Sequence, residues 1–157
     1  TLPETAEILG ATVDETQALL EKAGEEIARQ VATDALIIED EPLIVMDLTQ
    51  ILEELGHRVV AVARTRDEAR RAMAKQRPGL VLADIQLADG SSGLDAVNDL
   101  LQSFEVPVIF ITAYPKKLLT GEKPEPTFLI TKPYQPETLR VTISQALFFD
   151  QRSRRAA

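Results

Sequence analysis

The run Leu80-Val81-Leu82-Ala83-Asp84-Ile85-Gln86-Leu87 decides how the rest of the chain reads. Pro78-Gly79 precedes it and Asp89-Gly90 follows it, so an apolar run stands between two turn signals, which is the pattern of a buried strand. Asp84 sits where that strand should give way to a loop, and a carboxylate placed there needs a partner or a task. Three other apolar runs end on polar groups. Asp34-Ala-Leu-Ile-Ile stops at Glu39-Asp40, Val106-Pro-Val-Ile-Phe-Ile stops at Thr112, and Thr127-Phe-Leu-Ile-Thr stops at Lys132. Arg58-Val-Val-Ala-Val-Ala63 is the remaining strand.

The segments between these strands carry helical spacing. Pro42 suits a first helical position, Ile44, Leu48, Ile51, Leu52 and Leu55 form one stripe, and Gly56 follows as a stop. His57, the one histidine, comes next and is expected to be exposed and without chemistry. Thr65-Arg-Asp-Glu68 is a capping box that opens a helix with Ala69, Ala72 and Met73 inward. Leu94, Val97, Leu101 and Phe104 mark the next helix. Pro136 opens the last, with Leu139, Ile143 and Leu147 in register before a basic tail of Arg152, Arg154 and Arg155, expected solvated. The connection over residues 113–126 holds Pro115, Gly121, Pro124 and Pro126 and predicts a short or irregular element.

Alternating strands and helices predict an α/β fold, a five-stranded parallel sheet with helices on both faces, because each parallel crossover needs a helix-length connection. Ligands in such sheets bind beyond the carboxyl ends of the strands. Topology therefore brings Glu39, Asp40, Asp84, Thr112 and Lys132 to one edge.

Residues 1–33 read as a separate piece. Seven acids there face only Lys22 and Arg29, a net of -5, whereas the rest of the chain holds 18 acids against 15 bases. Residues 3–9 predict a short helix stopped at Gly10, and Thr12-Val-Asp-Glu15 is a capping box opening a second helix to about Gln30. Val13, Thr16, Leu20, Ala23 and Ile27 give that helix an apolar face which so short a piece cannot bury alone. The expected division is a helix-turn-helix piece with its linker over residues 1–33 and the α/β domain over residues 34–157. Because the chain opens on Thr1 rather than Met, it is expected to be part of a longer protein.

Composition narrows the classes. With 157 residues and a net charge of -8, the chain is a poor match for nucleic acid or an anionic membrane surface, and a protein or small-molecule partner is expected. It has no cysteine, which removes disulfides, thiolate metal sites and thiol nucleophiles together. No apolar run approaches the roughly 18 residues of a membrane span, and no signal sequence opens the chain, so a cytoplasmic setting is expected.

The converging groups suggest a chemistry. Carboxylates crowded at a sheet edge repel one another, and a hard divalent cation relieves this. Magnesium takes oxygen ligands and is usually held by one or two carboxylates with water and phosphate oxygens. Asp40 and Asp84 suit direct ligands, Glu39 suits a contact through water, and the Gln86 backbone carbonyl offers a further oxygen. Lys132 can offset charge on a phosphoryl oxygen, and the Thr112 hydroxyl can hydrogen-bond another. Asp84, on the central strand, is then the nucleophile that accepts a phosphoryl group as an acyl phosphate.

At these residues the chain resembles the receiver domain of two-component response regulators: Glu39-Asp40 after the first strand, Asp84 after the third, Thr112 after the fourth and Lys132-Pro133 after the fifth. The resemblance covers residue 34 to about residue 150 and implies a flavodoxin-like receiver with strand order 2-1-3-4-5. It also implies phosphoryl transfer to Asp84 from a histidine kinase or phosphotransfer protein with magnesium bound, and a cis bond between Lys132 and Pro133. The loop Ala88-Asp-Gly-Ser-Ser-Gly93 is about one residue longer than the commonest receiver pattern. Leu129 stands where many receivers carry a rotating aromatic, and Tyr114 is the substitute candidate for that switch.

The phrases Val-Pro-Val-Ile-Phe-Ile-Thr-Ala-Tyr-Pro115 and Leu-Leu-Thr-Gly-Glu-Lys-Pro-Glu-Pro126 are similar to the PhyR-type regulators of the alphaproteobacterial general stress response. The amino-terminal piece, Leu2-Pro-Glu-Thr-Ala-Glu-Ile-Leu-Gly-Ala-Thr-Val13, resembles the helix-turn-helix of sigma-factor region 4. The resemblance to the PhyR-type regulators implies an intramolecular sigma-like domain, released by phosphorylation, which captures an anti-sigma factor. Glu15, Glu21, Glu25 and Glu26 fall where a DNA reader would need bases, so a DNA-binding transcription regulator is the weaker alternative. A magnesium-dependent phosphatase-like enzyme is another, but it generally needs an acid two residues after the nucleophile, where Gln86 stands. No enzymatic turnover is expected beyond hydrolysis of the chain's own acyl phosphate.

Overall fold

The structure, a computed structural model, describes residues 32–103, 105–116 and 127–156, together with Glu15, Gln17 and Ala18. The chain divides into two compact units, Thr1–Ala32 and Thr33–Ala157. In the first, Glu15, Gln17 and Ala18 are helical and exposed. The helix expected over residues 3–9, the remainder of the second helix, Phe104 and residues 117–126 of the proline-rich connection lie outside the described residues.

The second unit runs β1 (Asp34–Ile38), α1 (Pro42–Glu54), β2 (Arg58–Ala63), α2 (Arg66–Lys75), β3 (Leu80–Ala83), α3 (Gly93–Leu101), β4 (Val108–Thr112), β5 (Thr127–Thr131) and α4 (Pro136–Ala156). Its five strands form a parallel sheet in the order β2-β1-β3-β4-β5. This is the flavodoxin-like order expected. β4 begins two residues later than the apolar run suggests. Pro107 has no N–H to offer a ladder, and its carbonyl instead accepts from Val81 N–H at 3.0 Å just ahead of the strand.

Alternate residues of β1, β3 and β4 enter two cores. Leu36, Ile38, Val81, Ala83, Val108 and Phe110 pack with Ala69 of α2 and Ala96, Val97 and Leu100 of α3. Ala35, Ile37, Leu80, Leu82, Ile109 and Ile111 pack with Leu48, Ile51 and Leu52 of α1 and Leu139, Ile143 and Leu147 of α4. Burial on both faces explains why these strands read as unbroken apolar runs rather than alternating ones. The facing of the helices follows from right-handed crossovers: β1 to β2 moves one way across the sheet, β2 to β3 and β3 to β4 the other, so α1 lies opposite α2 and α3. In α3, Ala96 and Leu100 are buried while the expected Leu94 and Leu101 are only partly so.

His57 departs from expectation. It is buried, at 7 % exposure, because α1 ends in a Schellman turn: Gly56, at φ 86°, donates to Glu53 O and His57 N–H donates to Leu52 O, which folds residue 57 back over the helix end. Its Nδ1 accepts from Thr33 N–H at 3.2 Å. α4 runs on through the arginine-rich tail to Ala156. Among the described residues no helix is long and apolar enough to cross a membrane.

Candidate functional site

Three ladder bonds extend one residue past the strands and fix the backbone that carries the site. Glu39 N–H donates to Ala63 O at 2.9 Å, Asp84 N–H to Ile38 O at 2.8 Å, and Lys132 N–H to Thr112 O at 2.9 Å. The side chains thus leave a rigid sheet edge rather than a loose loop. Lys132 Nζ then reaches Glu39 Oε2 at 2.9 Å, Asp84 Oδ2 at 3.2 Å and Glu41 Oε1 at 3.4 Å. An ammonium has three N–H donors, and here three carboxylates face them.

The acceptors are themselves oriented. Glu39 Oε1 takes the N–H groups of Asp40 (3.2 Å) and Glu41 (3.1 Å), leaving Oε2 for the lysine. Asp84 Oδ1 takes Gln86 N–H at 3.3 Å. Thr112, fully buried, accepts Tyr114 N–H on Oγ1 at 3.1 Å and keeps its own O–H to donate. Burial pushes the Glu39 carboxyl above its ordinary range, although the Lys132 bond and charge pull the other way. For Lys132 burial works to lower the pKa, but the bond to Glu39 and the charges of Glu39 and Asp84 outweigh it and the ammonium is held above its usual value. The lysine is therefore a fixed cation.

Oxygen atoms of Glu39, Glu41 and Asp84 lie within 4.8 Å of one another. An all-carboxylate set of this kind suits a hard divalent cation. The pattern of the response regulator receiver domain matches residues 35–144. The chain belongs to the response regulator receiver family.

Among receiver proteins, it is 64 % identical over 149 residues to the phyllosphere-induced regulator PhyR of Methylorubrum extorquens, covering 94 % of this chain and 56 % of that protein. The solution structure of the Erythrobacter litoralis PhyR receiver domain superposes at a TM-score of 0.72 with 65 % identity, over 75 % of this chain and 92 % of that one. The anti-anti-sigma factor PhyR of Bartonella quintana, crystallised with the anti-sigma factor NepR, superposes at 0.65 with 56 % identity, over 95 % and 61 %. The chain thus spans little more than half the length of the curated relative.

Within this receiver, Glu39, Asp84 and Lys132 meet directly, and Thr112 closes the end of the neighbouring strand. Asp40 is half-buried and is not one of the three converging carboxylates. Gln86 pairs with Ser92 in an isolated bridge, whose bonds are Leu87 N–H to Ser91 O and Gly93 N–H to Ile85 O. Tyr114 is exposed, and so is Leu129 on the edge strand, opposite Phe110. The Lys132–Pro133 bond is cis. Sequence reasoning missed Glu41. The run Glu39-Asp-Glu41 was a usable signal, but residue 41 is the N-cap of α1, where an acid is ordinarily assigned to the helix end. Its side chain makes no cap bond and turns to Lys132 instead.

Proposed function

We propose that this chain is the phosphoryl-accepting part of a PhyR-type response regulator. The observation that carries the reading is Lys132 Nζ lying between the carboxylates of Glu39 and Asp84 at the carboxyl edge of the sheet. An Asp84 oxygen attacks the donor phosphorus. The O–P bond forms as the donor's P–N bond to a histidine side chain breaks, and the electron pair leaves with the imidazole. Lys132 exchanges one carboxylate for a phosphoryl oxygen, and the Thr112 hydroxyl donates to another. A magnesium ion held by Asp40, Asp84 and the Gln86 carbonyl, with Glu39 through water, would neutralise the carboxylates and a phosphoryl oxygen. Asp40 stands in that set by its place beside Glu39 and the receiver pattern.

The donor is a histidine kinase or phosphotransfer protein, and the setting is cytoplasmic. The output is capture of an anti-sigma factor by a sigma-like region, supported by the Bartonella quintana PhyR complex with NepR. The chain accepts a phosphoryl group and does not turn over a separate substrate. Incubation with acetyl phosphate and magnesium should place one phosphoryl group on Asp84, and Asp84→Asn should take up none. Uptake that survives Asp84→Asn, or none in the native chain, would overturn the reading.

A further inference from the structure

Lys132 is braced from two directions. On the β4 side its own N–H donates to Thr112 O at 2.9 Å. On the α1 side the brace comes two residues later, where Tyr134 Oη donates to Asp47 Oδ2 at 2.6 Å. That short bond to a side-chain carboxyl group links the β5–α4 loop to the second turn of α1. The half-buried Tyr134 ring also packs on the core between α1, α4 and the sheet. Burial and the Asp47 carboxylate both hold the phenol above its ordinary pKa, so it remains a donor at neutral pH. α1 carries at its N-cap the third carboxylate on the lysine, Glu41.

We propose that Tyr134 is a positioning residue for phosphoryl uptake: by bonding Asp47 it fixes the β5–α4 loop against α1 and so sets the reach of Lys132 Nζ toward Asp84. The assignment rests on Asp84 being the phosphoacceptor. When acetyl phosphate is the donor, an Asp84 oxygen–phosphorus bond forms as the P–O bond to acetate breaks and acetate leaves with the electron pair. Lys132 must then lie within hydrogen-bond reach of the phosphoryl oxygens. Its present contacts of 2.9 Å and 3.2 Å leave little slack, because such bonds weaken steeply beyond their normal range.

The test is a cycle on the whole chain with acetyl phosphate and magnesium, timing phosphoryl uptake in the native protein, Tyr134→Phe, Lys132→Ala and the double variant. Tyr134→Phe keeps the ring in its core, so its thermal midpoint should stay near the native value. Uptake should slow on the order of threefold to tenfold, the span one hydrogen bond commands. In the Lys132→Ala background the same change should do nothing further, which a merely structural role would not produce. Asp47→Ala should match Tyr134→Phe, and combining the two should add nothing. If Lys132→Ala is too slow to time, the affinity for beryllofluoride with magnesium gives the same cycle at equilibrium. Unchanged uptake in Tyr134→Phe, or an equal loss in both lysine backgrounds, would overturn the positioning role while leaving Asp84 as the acceptor. A native chain that takes up no phosphoryl group would remove both.

Discussion

Gly93 shows how tightly the backbone of Asp84, the proposed acceptor, is held. A Cβ at this position would stand 1.6 Å from the Asp84 carbonyl oxygen and 2.8 Å from its carbon, and no side-chain rotation relieves a clash with backbone. Gly93→Ala should therefore cost about 2–3 kcal/mol in a denaturant melt, in the range of overpacking changes, and abolish phosphoryl uptake as Asp84 is displaced. Gly90 is the control. It has φ 81°, but a Cβ there would meet nothing within 4 Å, so Gly90→Ala should cost about 1 kcal/mol and leave uptake intact. His57 yields a prediction with a sign. Burial depresses its folded pKa below the ordinary 6.5, so as pH falls the unfolded chain takes the proton first. Its contribution is complete above pH 6.5 and declines below it toward the folded pKa. Urea melts at neutral and mildly acidic pH should show this slope in the native chain and a flatter one in His57→Asn, which keeps an acceptor for Thr33 N–H but cannot titrate. Equal slopes would mean the imidazole is not held neutral.

At the scale of elements, the helix caps separate stability from function. Thr65 Oγ1 accepts Glu68 N–H at 3.1 Å, and Glu68 Oε2 reaches back to Arg64 N–H at 2.7 Å, one residue before the box would place it. Ser92 Oγ accepts Asp95 N–H at 3.3 Å at the start of α3. Thr65→Ala and Ser92→Ala should each cost about 1 kcal/mol. Only the second should slow phosphoryl uptake, since α3 begins at Gly93, whose N–H is bonded to Ile85 O at 2.9 Å beside Asp84. Equal effects on uptake would show that α3 does not support the site. β1, β3 and β4 were legible because residues buried on both faces leave unbroken apolar runs, and the helices because Pro42, Thr65 and Gly56 punctuate them. Two of the residues left unread share one cause. Glu41 and His57 lie just outside α1, where direction is set by how the helix starts and stops rather than by periodicity. Leu100 and Ala96 were passed over because Leu94 and Leu101 offered an equally regular stripe, and only packing against Val81 and Phe110 decides between them.

For the whole molecule, energetics set how far a phosphoryl group on Asp84 can carry the proposed output. Moving a two-state equilibrium from 1:99 to 99:1 takes about 5.5 kcal/mol of differential stabilisation, whereas couplings between sites usually supply about 1–3 kcal/mol. On the proposed reading, phosphorylation alone would shift the receiver only part of the way, and binding of the anti-sigma factor to the released sigma-like region would complete the shift. Linkage makes this reciprocal: whatever factor the phosphoryl state adds to anti-sigma affinity, the anti-sigma factor must add to affinity for the phosphoryl state. In a PhyR-type protein that includes a sigma-like region, beryllofluoride with magnesium should tighten anti-sigma binding by about 5–150-fold, and saturating anti-sigma factor should tighten beryllofluoride binding by the same factor. Calorimetry of each ligand with and without the other measures both arms. If the affinities prove independent, Asp84 and the anti-sigma surface do not share a switch, and the acidic edge around Lys132 would have to act on some other contact.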